Sequence, residues 1–399
     1  MEIEYSASDE VRAAISRLGR TEDIQFSPDG DRLAVAALNE NRLLILGIVV
    51  SWDTEPPAIA LRNSLEVESD ALQLPHGLSW IDERTIVVAN RIGQLAIFEL
   101  PEEPASGRVR LSPVQTLGDS ANDLVKTPGS VSAVPVGADL IELAVCNNYV
   151  HHVSRHLVDR RMHYAPIASE ILVRDGVTIP DGVTHSPSGR WIALSNHGHH
   201  NVLLFRNDRN LGPSSRAQAV LGGIKYPHGL SFADDGRTIL VADAGAPFVH
   251  IYRSDGDWTG ERQPDVSIQV VSDESFKRGN NDPTTGGPKG IDVTRDGKLM
   301  VISCQEEPIV FFDAREFLDQ RVAAEPDNMS EAEGARESVL RYMAFDQLKM
   351  DEATAAIRRA TELQLDMMTH SRSWRITAPL RWATGALRKA APGWSAKHL

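Results

Sequence analysis

The sequence predicts an all-β chain: a six-bladed β-propeller with four-stranded antiparallel blades, an N-terminal strand closing the last blade, and a C-terminal helical extension. Three observations predict it. One phrase recurs six times as a Pro–polar–Gly turn or its relic, an apolar strand, a turn and a second strand, clearest in PHGLSFADDGRTILVADAGAPFVHIYR at 227–253. The copies start at Glu22, His76, Gly129, Asp181, His228 and Lys289, spaced by 54, 53, 52, 47 and 61 residues. Each copy is one short unit that cannot bury its own face, so stacked neighbours must do it, as in propeller blades.

Taken in order, residues 1–10 read as loose. Segment 11–18 (VRAAISRL) precedes the first phrase as a fourth strand precedes the later ones. It is expected to supply the outer strand of blade 6, whose own three strands end near Phe312, and so to leave no open sheet edge. Blade 1 continues through LLILGIVV and AIALR, and blade 2 runs to about Leu117. Blade 3 has the weakest strand pattern, with a polar insert at 154–166. Blades 4 and 5 end near Leu221 and Val271. The loop 272–288, rich in Gly, Asn, Pro and Thr, leads onto the face where inner strands begin and is placed to lid it.

The propeller therefore covers 11–320. Beyond it the period changes. Ser330 and Glu333 make a capping box, and Ala353, Ala356, Ile357, Ala360, Leu363 and Met367 recur at helical spacing, so 328–369 reads as a helical extension. Residues 370–399 form a basic tail with Thr377 as a helix cap and Pro379 in the first turn.

Charge separates the body from this tail. The chain carries −14, yet 367–399 holds six Lys or Arg and no acid, which leaves −20 on the rest. A strongly acidic body excludes a general nucleic-acid binder, and the asymmetry gives the tail a partner of its own. Cys146 and Cys304 make no disulfide framework or zinc spacing. The acidic, polar first residues are unlike a signal peptide, and no apolar run reaches the ~18 residues of a spanning helix. The expected location is cytoplasmic, with peripheral contact at the inner membrane face.

Propeller geometry places the candidate site. Inner strands start, and second strands end, at one mouth of the central channel. The starting ring supplies Glu22, His76, Asp181, His228 and Lys289, with Gly129 as the sixth member. Second strands end at Asn90, Asn147, Asn196 with His197, Asp243 and Gln305, and less certainly Asn39. These groups suit a polar ligand such as a sugar at the mouth. Asn and Asp are equally ordinary turn residues at strand ends. No catalytic residue is assigned, because no nucleophile–base pair is visible in the sequence. Eight of thirteen histidines fall between His151 and His200, which makes the run 196–201 (NHGHHN) and the pair His151–His152 weaker metal candidates. As neighbours on a strand, the latter two face opposite ways.

The repeats resemble the six-bladed propellers of the NHL and gluconolactonase-like superfamily over roughly 11–320. In the gluconolactonase family a divalent metal is held by a Glu of the first inner strand, by Asn residues and by an Asp. The resemblance matches Glu22 to that Glu, with His228 and Lys289 where an Asn and the Asp would stand. The peptidyl-hydroxyglycine lyase domain is similar in its Pro-His-Gly-Leu phrase, here at 75–78 and 227–230, and takes zinc through His from three alternate blades. Here His76 is completed by Asp181 and Lys289, and His228 by Glu22 and Gly129. The resemblance implies a divalent metal at Glu22, His76, Asp181 and His228, and a lactonase-like hydrolase or a lyase. Lys289 discriminates: turned into the mouth, it pairs where the metal would sit.

The tail gives a second resemblance. Ser371, Ser373, Trp374, Arg375, Thr377, Pro379, Leu380 and Arg381 look like the C-terminal ends of bacterial glycosyltransferases and neighbouring proteins of surface-polysaccharide assembly. The resemblance implies a protein partner, such as a glycosyltransferase or an assembly complex, contacted through Trp374, Arg375, Arg381 and Trp382. The same cationic and Trp side chains also suit an anionic membrane surface. The reading that follows is a non-catalytic binding or scaffold propeller in polysaccharide assembly; the alternative is the metal-dependent enzyme.

Overall fold

Second strands such as Thr85–Asn90 and Thr238–Asp243 are continuous apolar runs, the pattern of strands covered on both faces, and every residue in them is buried. In the computed structural model, which describes residues 1–318 apart from 103–105, 119–123, 209, 234–235 and 256, such runs form six sheets. Each sheet is ordered by antiparallel pairing from an inner strand outwards. The inner strands are Thr21–Phe26, Pro75–Trp80, Pro128–Pro135, Pro180–His185, Pro227–Ala233 and Gly290–Val293. Each neighbours the next, and the sixth returns to the first. The apolar cores lie between consecutive blades; one joins Ala34, Leu43 and Val67 of blade 1 to Leu78, Ile86 and Phe98 of blade 2.

An N-terminal strand does close blade 6, but it is not 11–18. Glu2–Ile3 pairs antiparallel with Phe311 and Phe312. Segment 11–18 lies mostly within a helix, Asp9–Ser16, capped by Ser8 with Asp9 and Glu10 in its first turn. The reason is legible afterwards. Val11, Ala14, Ile15 and Leu18 have helical spacing, acids favour a helix N-terminus, and all four pack with Ile3 and Phe311 between blades 6 and 1. Residues 1–10 are accordingly structured rather than loose. Blade 3 is also stronger than its sequence pattern. Its four strands run eight or nine residues each, and the polar insert is the strand His152–Asp159 with a short turn of 3-10 helix.

Neighbouring blades also lend strands to each other's outer edges. Gly107–Arg110 and Tyr5–Ala7 both pair in parallel with Ala58–Glu68 of blade 1, and Gly260–Arg262 pairs with Ala219–Leu221 of blade 4. Covered edges resist pairing with other chains. The helical extension at 328–369 and the tail at 370–399 lie outside the described residues.

Inner strands are cross-linked by side chains that accept backbone N–H groups of the neighbouring blade. Asp23 takes Leu78 at 2.9 Å, Ser79 takes Ala133 at 3.1 Å, Ser130 takes Val183 at 3.3 Å and Asp292 takes Phe26 at 2.9 Å. Burial raises Asp292 to about 6 and Asp23 to about 7 despite these donors. Asp23 borders the channel, which has room for about one water, so its charge is poorly solvated. A folded value above the unfolded 3.8 means that folding takes up a proton. Asp23's contribution is complete below about pH 4 and is lost as pH rises through 7. Asp23→Asn should therefore reduce the stability difference between pH 5 and pH 8 by about 2 kcal/mol. Urea unfolding at the two values checks this; an unchanged difference refutes it.

Candidate functional site

The repeated Pro–X–Gly phrase has a steric reading. X presents its side chain at the mouth, and the glycine lets the next inner strand pass against its backbone. A Cβ on Gly182 would lie 2.1 Å from the His228 carbonyl oxygen, and one on Gly229 would lie 2.4 Å from that of Lys289. This close approach brings the ring side chains together.

Glu22 is the centre. Both oxygens of its carboxylate accept from the Lys289 ammonium, at 2.8 and 2.9 Å, and Oε1 accepts a further bond from Arg20 Nε. His76 Nε2 and His228 Nε2 stand 3.4 and 3.3 Å from Oε2. His228 Nε2 also lies 3.3 Å from Asp181 Oδ2. Asp181 accepts from Arg91 at 3.2 Å and from the amide of Asn148, and His197 Nδ1 lies 3.7 Å away. Glu22, His76, Asp181, His228, Lys289 and His197 therefore converge as the sequence suggested. Gly129 contributes its carbonyl, 2.7 Å from His76 Nδ1, and Asn148 fills the space its side chain would have used.

Protonation follows from the partners. A carbonyl only accepts, so His76 carries its proton on Nδ1, and Nε2 receives Arg91. Burial and the Arg91 charge accordingly push His76 down to about 3. Burial likewise lowers His197. Burial opposes ionisation of Glu22, yet Lys289 holds it well below the usual carboxylate range, with the His228 hydrogen bond adding to the effect. Asp181 is held low against the same desolvation by its neighbours, His228 first and then Arg91. Burial lowers Lys289, while Glu22 opposes that shift. Two carboxylates thus face three cations, Arg20, Arg91 and Lys289.

Whether the ring fits a divalent metal can be tested on these contacts. Donor atoms of Glu22, His76 and His228 lie within 4.8 Å of one another. Lys289 occupies both Glu22 oxygens, however, and Arg91 occupies the His76 lone pair that a metal would need. The set as folded does not fit a divalent ion. The other histidines do not assemble one among the described residues. His199 bonds Thr178, His200 bonds the Lys225 carbonyl, His151 accepts from Ile179 N–H, and His152 meets the Leu124 carbonyl.

Four strand-end residues face away from the cluster. Asn90 accepts the Gln73 N–H, Asn147 that of Lys126, and Asn196 that of Thr178; Asp243 takes Lys225, Tyr226 and Gly245. Each pins the loop entering its own blade's inner strand, and Asp243 is held ionised there, against burial, by His250 and these donors. In blades 2, 3 and 4 the next residue is the one at the mouth, Arg91, Asn148 and His197; in blade 5 it is Ala244. Asn148 and His197 open short 3-10 turns and Arg91 follows its strand's last residue, so the chain has left the sheet when it reaches them. Sequence reasoning missed Arg91, Asn148 and Arg20; the position after each strand-end Asn was the available signal.

Beside the ring lies a groove of about 630 Å³ lined by Arg20, Asn39, Asn281, Asp282, Thr285, Gln305 and Glu306, together with Ile15, Ser16, Gly19 and Pro308. The loop 272–288 does line this face. It opens with the helix Asp273–Gly279 and then offers Asn281, Asp282 and Thr285 to the groove. On the opposite side of the ring, Arg91 stacks on Tyr149, which is exposed together with Ile92 and Val150.

Fold and site define a six-bladed β-propeller with a buried ionic ring at one channel mouth and a polar groove beside it. No family model matches the chain, and no curated protein matches it. Among the described residues no helix is long and apolar enough to cross a membrane.

Proposed function

We propose that the mouth face of this protein is a non-catalytic binding surface that takes a polar, sugar-like ligand in its groove. The observation that carries the reading is the groove's lining. Three amide side chains, two hydroxyls, two carboxylates and Arg20 offer donors and acceptors matched to a hydroxyl-rich ligand, in a volume suited to one or two rings. Arg20 ties this lining to Glu22, so the ring holds one wall of the groove in place. Ligand-observed NMR and calorimetry with a panel of neutral and acidic mono- and disaccharides test it. Asn39→Ala and Gln305→Ala should each weaken the best binder by about 5- to 20-fold, the loss of one or two hydrogen bonds. Absence of saccharide binding, or binding untouched by both substitutions, refutes the reading.

The wider setting is part of the proposal. Kinship with the gluconolactonase-like propellers rests on the repeat phrases, and a role in bacterial surface-polysaccharide assembly rests on the tail motif around Trp374, Arg375, Arg381 and Trp382. In this reading the tail tethers the propeller to a glycosyltransferase or assembly complex. Deleting 370–399 should abolish co-sedimentation with the partner fraction while leaving saccharide binding intact; unchanged co-sedimentation removes the tether.

One observation favours a second reading, a metal-dependent hydrolase or lyase: the approach of the donor atoms of Glu22, His76 and His228. It requires Lys289 and Arg91 to turn away. Near-stoichiometric metal in protein purified without chelator or metal resin, lost in His76→Ala and His228→Ala, would establish it.

A further inference from the structure

The far end of the channel carries a second constellation, independent of the groove. Three residues beyond the ring, about 10 Å along each inner strand, stand Gln25, Ser79, Ser132, Thr184, Ser231 and Asp292. They border a cavity of about 360 Å³ that also takes in Trp80, His185 and Arg295. One residue of this end departs from the repeat. Phe26, Trp80, Ala133, Phe232 and Val293 occupy the position four after the ring residue in five blades, whereas blade 4 has His185. A buried imidazole there replaces apolar packing between blades, and a buried polar group is kept only where its partners are supplied.

The partners are specific. Ser132 Oγ lies 2.9 Å from His185 Nδ1, and His185 Nε2 lies 3.1 Å from Glu142 Oε1. Glu142 also receives Asn207 at 3.2 Å and lies 3.4 Å from Arg155. Burial opposes the charge of Glu142, yet the His185 hydrogen bond and Arg155 keep it below the usual carboxylate range. An ionised carboxylate only accepts, so Nε2 carries the imidazole proton. In the neutral imidazole Nδ1 is then a bare acceptor, and the Ser132 hydroxyl donates to it. The Ser132 oxygen also accepts the His185 N–H at 3.1 Å, which fixes its orientation. Hydroxyl, imidazole and orienting carboxylate stand in line, as nucleophilic catalysis needs. Among the described residues Ser79 and Ser231, the other serines of this ring, have no imidazole partner: Ser79 accepts the Ala133 N–H, and Ser231 donates to Asp292.

We propose that Ser132 is a nucleophile for activated acyl esters entering this far cavity, with His185 as general base and Glu142 as its positioning residue. Ser132 Oγ bonds to the acyl carbon as its proton passes to His185 Nδ1. The ester C–O bond breaks, and the leaving oxygen takes that proton. Water, deprotonated by the same nitrogen, then cleaves the acyl-serine and restores the hydroxyl. Arg295, on the cavity wall, suits an ester that carries a carboxylate.

The test uses the full-length protein, a fluorophosphonate probe and p-nitrophenyl acetate, read by intact mass and peptide mapping. One adduct on Ser132 is expected, absent in Ser132→Ala and formed at least ten-fold more slowly in His185→Gln. Circular dichroism and unfolding midpoints establish that each variant is folded. Glu142→Gln presents an amide N–H to Nε2, which moves the imidazole proton to Nδ1; it should slow labelling and alter its pH profile. Ser79→Ala should label as wild type does and covers the case of a poorly folded Ser132 variant. No adduct on the folded wild type, or an adduct that survives in Ser132→Ala, overturns the proposal. Either result leaves saccharide binding at the opposite mouth untouched.

Discussion

Lys289→Ala should convert the ring from an ion cluster into a metal site. In the wild type the ammonium occupies both oxygens of Glu22. Removing it leaves a buried carboxylate beside His76 and His228 with only Arg20 attached. Two effects follow, and their signs differ. Leaving a buried charge with one partner fewer should cost about 3 kcal/mol of stability in the absence of metal. The same charge now attracts Zn²⁺, which binding to the folded state alone converts back into stability. Calorimetry should show Zn²⁺ binding to Lys289→Ala at least ten-fold tighter than to wild type, and the gain should vanish in Lys289→Ala/His76→Ala. Micromolar or tighter Zn²⁺ binding to the wild type would refute the argument and restore the enzyme reading. Zn²⁺ that binds neither form would show that the Arg91 contact alone disables the set.

Gly182→Ala should be among the most damaging single-methyl changes in the chain. The added Cβ would meet a backbone carbonyl at 2.1 Å and Ser195 Oγ at 3.0 Å. A backbone neighbour cannot swing aside as a side chain can, so blades 4 and 5 must separate at the axis. Strain of this kind costs about 3–5 kcal/mol. Gly137→Ala is the control, since a methyl group added there would meet nothing within 4 Å and the change should fall within about 1 kcal/mol of neutral. Urea unfolding of the two variants compares them; similar midpoints would mean that the inner strands yield more easily than their spacing suggests.

The blades were legible because a propeller repeats its physics. Each Pro–X–Gly phrase marks an inner strand, and each apolar run after it marks a strand covered on both faces. The ring was legible for the same reason: Glu22, His76, Asp181, His228 and Lys289 share one position in the repeat. What escaped was a matter of strand ends and period. Asn90, Asn147, Asn196 and Asp243 end their strands as expected, but their side chains hold loops, and in blades 2 to 4 the residues beyond them reach the mouth. Segment 11–18 fits a strand by analogy with the other blades and a helix by the spacing of its apolar residues, and the spacing prevailed. The Ser132–His185–Glu142 line joins two blades across 53 residues of sequence, a proximity no local pattern contains.

The clasp formed by Glu2–Ile3 against Phe311 and Phe312 has a mechanical consequence. The pair is antiparallel, so residue 1 and the chain beyond residue 313 leave it from the same end. A pull between them loads the two rungs one after the other, as a zip is opened, rather than together in shear. Under tension the ring should part at blade 6 at low force, while the other five sheets, laced by longer ladders, remain whole.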